Sequence, residues 1–146
     1  MQVHMNPGVK IIECPRDAMQ GLHEFVPTAL KVKYIQQLMA TGFDIIDFGS
    51  FVSPKAIPQM KDTHEVIEAL DTSASPTKLL AIVANKRGAA EACRYPSISF
   101  LGYPFSVSET FQIRNTNSSI SESFETVREI SELCQAHGKE LIIYLS

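Results

Sequence analysis

Short apolar runs alternate along the chain with longer stretches in which apolar residues recur every three or four positions. The first run, V-K-I-I-E-C from Val9 to Cys14, lies between Pro7-Gly8 and Pro15 and predicts a strand. Pro15 has no N–H for a ladder hydrogen bond, so it ends that strand and sends Arg16 and Asp17 into a loop at its C-terminal end. From Thr28 to Thr41 the period is helical, with Thr28 as the cap, Leu30, Tyr34, Ile35, Leu38 and Met39 on one face, and Gly42 as the stop. F-D-I-I-D-F over Phe43 to Phe48 predicts a second strand, followed by a Gly49-Ser50 turn and a loop punctuated by Pro54 and Pro58.

The alternation continues to the C-terminus. A short helix over Thr63 to Leu70 turns Val66, Ile67 and Leu70 inward, and K-L-L-A-I-V-A, Lys78 to Ala84, is continuous enough for a parallel strand covered on both faces. Arg87 to Cys93 is an alanine-rich helix, Ser97 to Leu101 a fourth strand, and a long polar loop follows. Ser119 and Glu122 form a capping box for a last helix with Ile120, Phe124, Val127, Ile130, Leu133 and Cys134 inside; Gly138 closes it, and Glu140 to Leu145 is a fifth strand. The order βαβαβαβαβ leaves an open doubly wound sheet or part of a (β/α)₈ barrel. A final apolar strand without a closing helix favours the barrel, whose usual length of about 250 residues makes this the N-terminal half of one. No repeat, low-complexity tract or linker divides the chain, so 1–146 reads as one portion of a single domain.

Composition narrows the function classes. A net charge of −3 and a pI near 5.8 provide no basic stripe, which argues against nucleic acid and against an anionic membrane surface. No apolar run approaches a membrane span, and MQVHMNPG lacks the basic and apolar regions of a signal peptide, so a cytoplasmic protein is expected. Cys14, Cys93 and Cys134 are odd in number and widely spaced, which speaks against a disulfide framework and against C-x-x-C chemistry. Cys134 and Cys14 read as core cysteines. The histidines, His4, His23, His64 and His137, show no metal-ligand spacing.

Charges at the C-terminal end of a barrel strand stand where such folds bind ligands, which makes Arg16 and Asp17 the first candidates; the alternative for an Arg-Asp pair in a loop is a solvated turn. Asn85 ends the third strand on the same side, although asparagine also suits a turn, and Ser50 could contact ligand or serve its turn. Glu13 precedes the pair and reads equally as an edge charge. Ser108, Glu109, Arg114 and Asn115 lie in the long loop, for which solvation is the simpler reading.

E-C-P-R-D-A-M-Q-G, with I-D-F-G-S-F-V-S-P-K-A-I-P-Q-M at residues 46–60 and N-x-S-I-x-E-S-F from Asn117 to Phe124, resembles the N-terminal half of 3-hydroxy-3-methylglutaryl-CoA lyase over essentially the whole chain. The resemblance implies a metal-dependent lyase of the (β/α)₈ superfamily shared with Claisen-type synthases. It places Asp17 on Mg²⁺ or Mn²⁺ and Arg16 on the oxygen that gains negative charge as the acyl-CoA substrate undergoes retro-Claisen cleavage. It further implies that Asp47, where the family usually has glutamate, orients Arg16 or a water on the metal, that Ser50 lies next to the site, and that Gln20 holds a substrate carbonyl or the loop. The chain departs from the family motif in reading R-D-A-M-Q for R-D-G-L-Q and in being one residue shorter before Pro15. S-F-V-S-P-K favours cleavage over condensation, with a related 3-hydroxyacyl-CoA as the alternative substrate. The family's histidine ligands, metal-binding asparagine and proton-transfer cysteine fall beyond residue 146, so the chain alone is expected to be inactive. Its alternative role is a non-catalytic half barrel that pairs with a partner or as a homo-oligomer.

Overall fold

Five parallel strands form one sheet in the sequential order β1-β2-β3-β4-β5, curled so that one face lies inside and the other carries the helices. The computed structural model describes residues 8–146; His4, Pro7 and the N-terminal segment weighed as a signal peptide lie outside the described residues. The strands are β1 (Ile12–Glu13), β2 (Ile45–Ser50), β3 (Lys78–Ile82), β4 (Ile98–Phe105) and β5 (Glu140–Leu145). A doubly wound sheet reverses its strand order at a switch point. This sheet has no reversal, which is the arrangement of a barrel half.

Two apolar layers follow from the alternation of side chains along each strand. Ile45, Leu80, Ile82 and Phe100 pack on the inner face with Ile12, Ile142 and Tyr144. Ile46, Phe48, Leu79, Ala81, Leu101, Tyr103 and their neighbours form the larger core beneath the helices. A β-bulge at Phe48 shifts the pairing of β2 with β3: Asp47 stands beside Leu80, whereas Gly49 stands beside Ala81 and Ser50 beside Ile82. Asp47 and Ser50 therefore both share the inner face, although they are three residues apart. Gly49 faces the helices, where an added Cβ would come 2.8 Å from Thr63 Cγ2.

The helices are α1 (Pro15–Gln20), α2 (Thr28–Met39), α3 (Thr63–Ala69), α4 (Lys86–Cys93), α5 (Glu109–Thr116) and α6 (Ile120–Ala136). Several expectations are corrected. The segment after β1 is a short helix, not a loop, because proline suits the first helical position, where no N–H is needed. β1 has two residues instead of six, since as an edge strand it pairs only with β2 and Val9 is left in solvent. Pro27, not Thr28, precedes α2, and the Thr28 hydroxyl instead donates to Asp62 Oδ2 at 2.8 Å. α2 ends at Met39 before Gly42 and buries Lys31, Ile35 and Met39, while Leu30 and Tyr34 are exposed.

Gly49 and Ser50 belong to β2, not to a turn, while Phe43 and Asp44 precede it. β4 begins one residue later than expected and extends to Phe105. The long polar loop contains α5, capped by Ser108 and closed by Asn117 in the left-handed region at φ 56°. Buried Gln112 fastens this helix, accepting from Ser106 N at 2.7 Å and donating to Ser123 Oγ at 2.7 Å. The capping box of α6 forms as expected, but Phe124 turns outward against Phe105 and Ser123 takes the buried position.

Candidate functional site

Arg16 leaves the first turn of α1 and crosses to β2, which α1 packs against. Its Nε donates to Asp47 Oδ1 at 3.1 Å and its Nη2 to Asp47 Oδ2 at 2.6 Å, a two-pronged pair that fixes the guanidinium plane. Nη1 donates to Asp17 Oδ1 at 3.0 Å and to Gln20 Oε1 at 2.8 Å. A guanidinium has five N–H groups, so these four bonds leave one, on Nη2, without a described acceptor. Asp47 is fully buried and Arg16 nearly so.

Burial works against the charge of Arg16, but its bonds to Asp47 more than offset this, and its pKa is raised. For Asp47 burial is the larger influence and lifts the carboxyl above its ordinary value, against the downward pull of the Arg16 bonds. Tyr144 enters the same interior from β5. Burial first and the charge of Asp47 second push its phenol far up, and its hydroxyl has no hydrogen-bond partner among the described residues. Cys14, half-buried at the start of α1, is raised by burial and by Asp47.

Arg16, Asp17, Gln20 and Asp47 thus form one network, with Ser50 on the same inner face. The Ser50 hydroxyl accepts from Val52 N at 3.2 Å. Asn85 makes no described bond to them: its side chain accepts from Gly88 N at 2.9 Å and caps α4. Glu13 pairs with Ile46, a residue of the helix-covered layer. In α5, Ser108 is the cap, Glu109 accepts from Ile120 N, and Arg114 and Asn115 are exposed.

Asp17 suits a hard cation in one respect. Its carboxylate is 70% exposed, and only one oxygen is held, by Arg16. Both oxygens of Asp47 are occupied by the guanidinium, and the described residues contain no group of three His, Cys, Asp or Glu placed to hold a metal. Among the described residues Asp17 is thus the carboxylate with an oxygen open to such an ion, and most of the other donors would be water, ligand or residues outside the chain.

The P-K-A-I-P-Q-M part of the second motif builds the frame behind α1. Gln59 accepts from Val26 N at 2.8 Å and donates to Glu24 O at 2.9 Å and Leu22 O at 3.3 Å, so it ties down the loop joining α1 to α2. Lys31 is buried beside it, donating to Asp62 Oδ1 at 2.6 Å and to the Gln59 carbonyl, with its ammonium 4.2 Å from the Phe25 ring centre. Sequence reading passed over Lys31, Gln59 and Tyr144. An apolar spacing that places Lys31 in line with Ile35 is the signal for the first; for Tyr144 it is the strict alternation of β5, which puts it on the same face as Ile142.

No protein-family model matches the chain. It is 33% identical to the mitochondrial hydroxymethylglutaryl-CoA lyase of Arabidopsis thaliana over 141 residues, 94% of this chain and 29% of that one. The crystal structure of the HMG-CoA lyase of Bacillus subtilis superposes with a TM-score of 0.87 at 33% identity, over 94% of this chain and 46% of that one. An Acinetobacter baumannii HMG-CoA lyase in complex with coenzyme A and 3-methylmalate superposes with a TM-score of 0.85 at 31% identity, over 93% of this chain and 44% of that one. The chain spans less than half the length of these relatives, and its fold matches their N-terminal barrel portion.

Proposed function

We propose that this chain, similar to the hydroxymethylglutaryl-CoA lyases over 94% of its length, supplies the arginine side of a carbon-carbon lyase site. The reaction is the cleavage of 3-hydroxy-3-methylglutaryl-CoA to acetyl-CoA and acetoacetate. The observation that carries the reading is Arg16 itself, a buried guanidinium held by three side chains with one N–H that has no acceptor among the described residues. A donor fixed in advance in a low-dielectric site is what an oxygen gaining negative charge requires.

Asp47 sets the plane and direction of Arg16, and Gln20 and Asp17 keep Nη1 from turning away. That leaves the Nη2 N–H to hold the thioester oxygen as the carbon-carbon bond breaks and the enolate forms. Inner-face residues Ile45, Leu80 and Phe100 keep water from beneath the network. Asp17 is the residue of this chain that would hold a divalent cation, Mg²⁺ or Mn²⁺, whose charge acidifies the substrate's tertiary hydroxyl when it is bound.

One carboxylate is too few ligands for tight binding. The chain by itself is therefore expected to show no turnover and only weak Mg²⁺ binding, while still binding the thioester. The test is acetoacetate release on mixing the chain with the separately expressed C-terminal remainder of the Bacillus subtilis enzyme. Metal-dependent release, reduced at least about a hundredfold by Arg16→Lys, supports the proposal. Turnover by the chain alone, or release unaffected by Arg16→Lys, would refute it.

A further inference from the structure

Tyr144 presents a buried hydroxyl that makes no hydrogen bond of good geometry within the described residues; the acceptor it faces is the Asp47 carboxylate, which Arg16 already holds through both oxygens. Folded proteins leave few such atoms unpaired, and each carries a desolvation cost. The packing around the ring makes accident a poor account of it. Gly102 lies across the inner face on β4, where an added Cβ would come 2.9 Å from Tyr144 Cε2 and 2.6 Å from Ile82 Cδ1, so a larger residue there would crowd the ring. The ring packs against the inner apolar cluster, and the charged groups acting on its phenol include Asp47, Arg16 and Asp17, the members of the arginine network. Both Asp47 oxygens already accept from Arg16.

We infer that the Tyr144 hydroxyl is a second donor of the site, unpaired in the free protein and satisfied by a carbonyl or carboxylate oxygen of the ligand that Arg16 addresses. Burial and the Asp47 charge keep the phenol protonated, and hence a donor, across the working pH range. Arg16 then approaches the ligand from the β1–β2 side and Tyr144 from β5, so two donors meet it across the inner face. The inference rests on the reading of this site as one that binds an acyl-CoA.

The experiment is titration of the full chain and of Tyr144→Phe with 3-hydroxy-3-methylglutaryl-CoA, followed by NMR and by near-ultraviolet tyrosine difference absorption, with thermal unfolding of both proteins. Removing an unpaired buried hydroxyl should leave Tm unchanged or raise it, while a lost ligand hydrogen bond should weaken binding about threefold to tenfold and abolish the tyrosine difference signal. A lower Tm in Tyr144→Phe would show that the hydroxyl is satisfied within the fold and overturn the inference. Equal binding by the two proteins would overturn it as well, leaving the acyl-CoA reading intact. Absence of binding by the parent chain would overturn both.

Discussion

Replacing Arg16 with methionine keeps side-chain length and volume near the original but withdraws the only cation among the described residues that bonds to Asp47, whose carboxylate is fully buried. Two bonds, at 3.1 and 2.6 Å, are lost. Breaking a buried pair from one side typically costs about 3–5 kcal/mol, because the remaining charge is left without compensation. The bonds to Asp17 and Gln20 add little, since both of those side chains are exposed and regain water.

The cost should depend on pH in a definite direction. Burial already raises Asp47 above 3.8, and Arg16 is what pulls it down; without Arg16 the carboxyl rises further. A carboxyl raised in the folded state contributes its full stability below its unfolded value and loses it as pH climbs through the folded one. The deficit of Arg16→Met relative to the parent should therefore be smallest at low pH, where the carboxyl is protonated, and grow as pH rises. The double variant Arg16→Met/Asp47→Leu removes both charges and should return to within about 1 kcal/mol of the parent. Urea unfolding at a series of pH values, followed by far-ultraviolet circular dichroism because the chain has no tryptophan, measures all three proteins. A loss under about 1 kcal/mol that does not vary with pH, or a double variant as unstable as the two single losses added, would show that the pair is solvated and the reasoning wrong.

Three further outcomes are expected. Gly88→Ala should destabilise by about 1–3 kcal/mol in the same unfolding assay, despite the usual helical gain of about 1 kcal/mol, because the new Cβ would come 2.6 Å from the Phe51 carbonyl oxygen. Gln59→Leu should release the loop joining α1 to α2, seen as faster amide exchange at Val26 and readier proteolysis between Leu22 and Val26, with β3 and β4 protected as before. Cys134 is pushed up from 9.0 to about 11, chiefly by burial, so the stability it contributes is complete below pH 9 and declines as pH rises toward 11. Cys134→Ala should flatten the fall in Tm over that interval, and an unchanged slope would count against the assignment.

The fold was largely legible because each strand's apolar pattern is set locally and sequential pairing followed from alternation with helices. Interior polar positions were harder. Lys31 reads as a surface lysine until α3 brings Asp62 beneath it, and the outward turn of Leu30 and Tyr34 is the rotation of α2 that this burial requires. The α5 helix was hidden by the low apolar content of E-T-F-Q-I-R-N-T, since what holds it is the buried amide of Gln112, a long-range polar tie with no local signature. At the site, the proximity of Arg16 to Asp17 was visible from adjacency in the chain and that of Asp47 was expected through resemblance. The bond of Gln20 to Arg16 follows from an i, i+4 spacing that became visible only once residues 15–20 proved helical, whereas the orphaned hydroxyl of Tyr144 depends on the curvature of the sheet, which no single segment encodes.

The bulge at Phe48 has a consequence for how length changes would be tolerated in this chain. Faces of a strand are a parity, and one additional residue inverts the parity of everything after it. In β2 the extra residue lets Asp47 and Ser50 share the inner face at an odd separation, and it also turns side-chain-free Gly49 toward Thr63. Deleting Phe48, the extra residue itself, would leave Asp47 and Ser50 two apart and on one face by ordinary alternation, whereas inserting a residue between Gly49 and Ser50 would rotate Ser50 out of the interior and carry the altered phase into the segment leading to Gln59. Substitutions in β2 are graded insults, whereas a single-residue insertion or deletion away from the bulge acts like a frameshift in space.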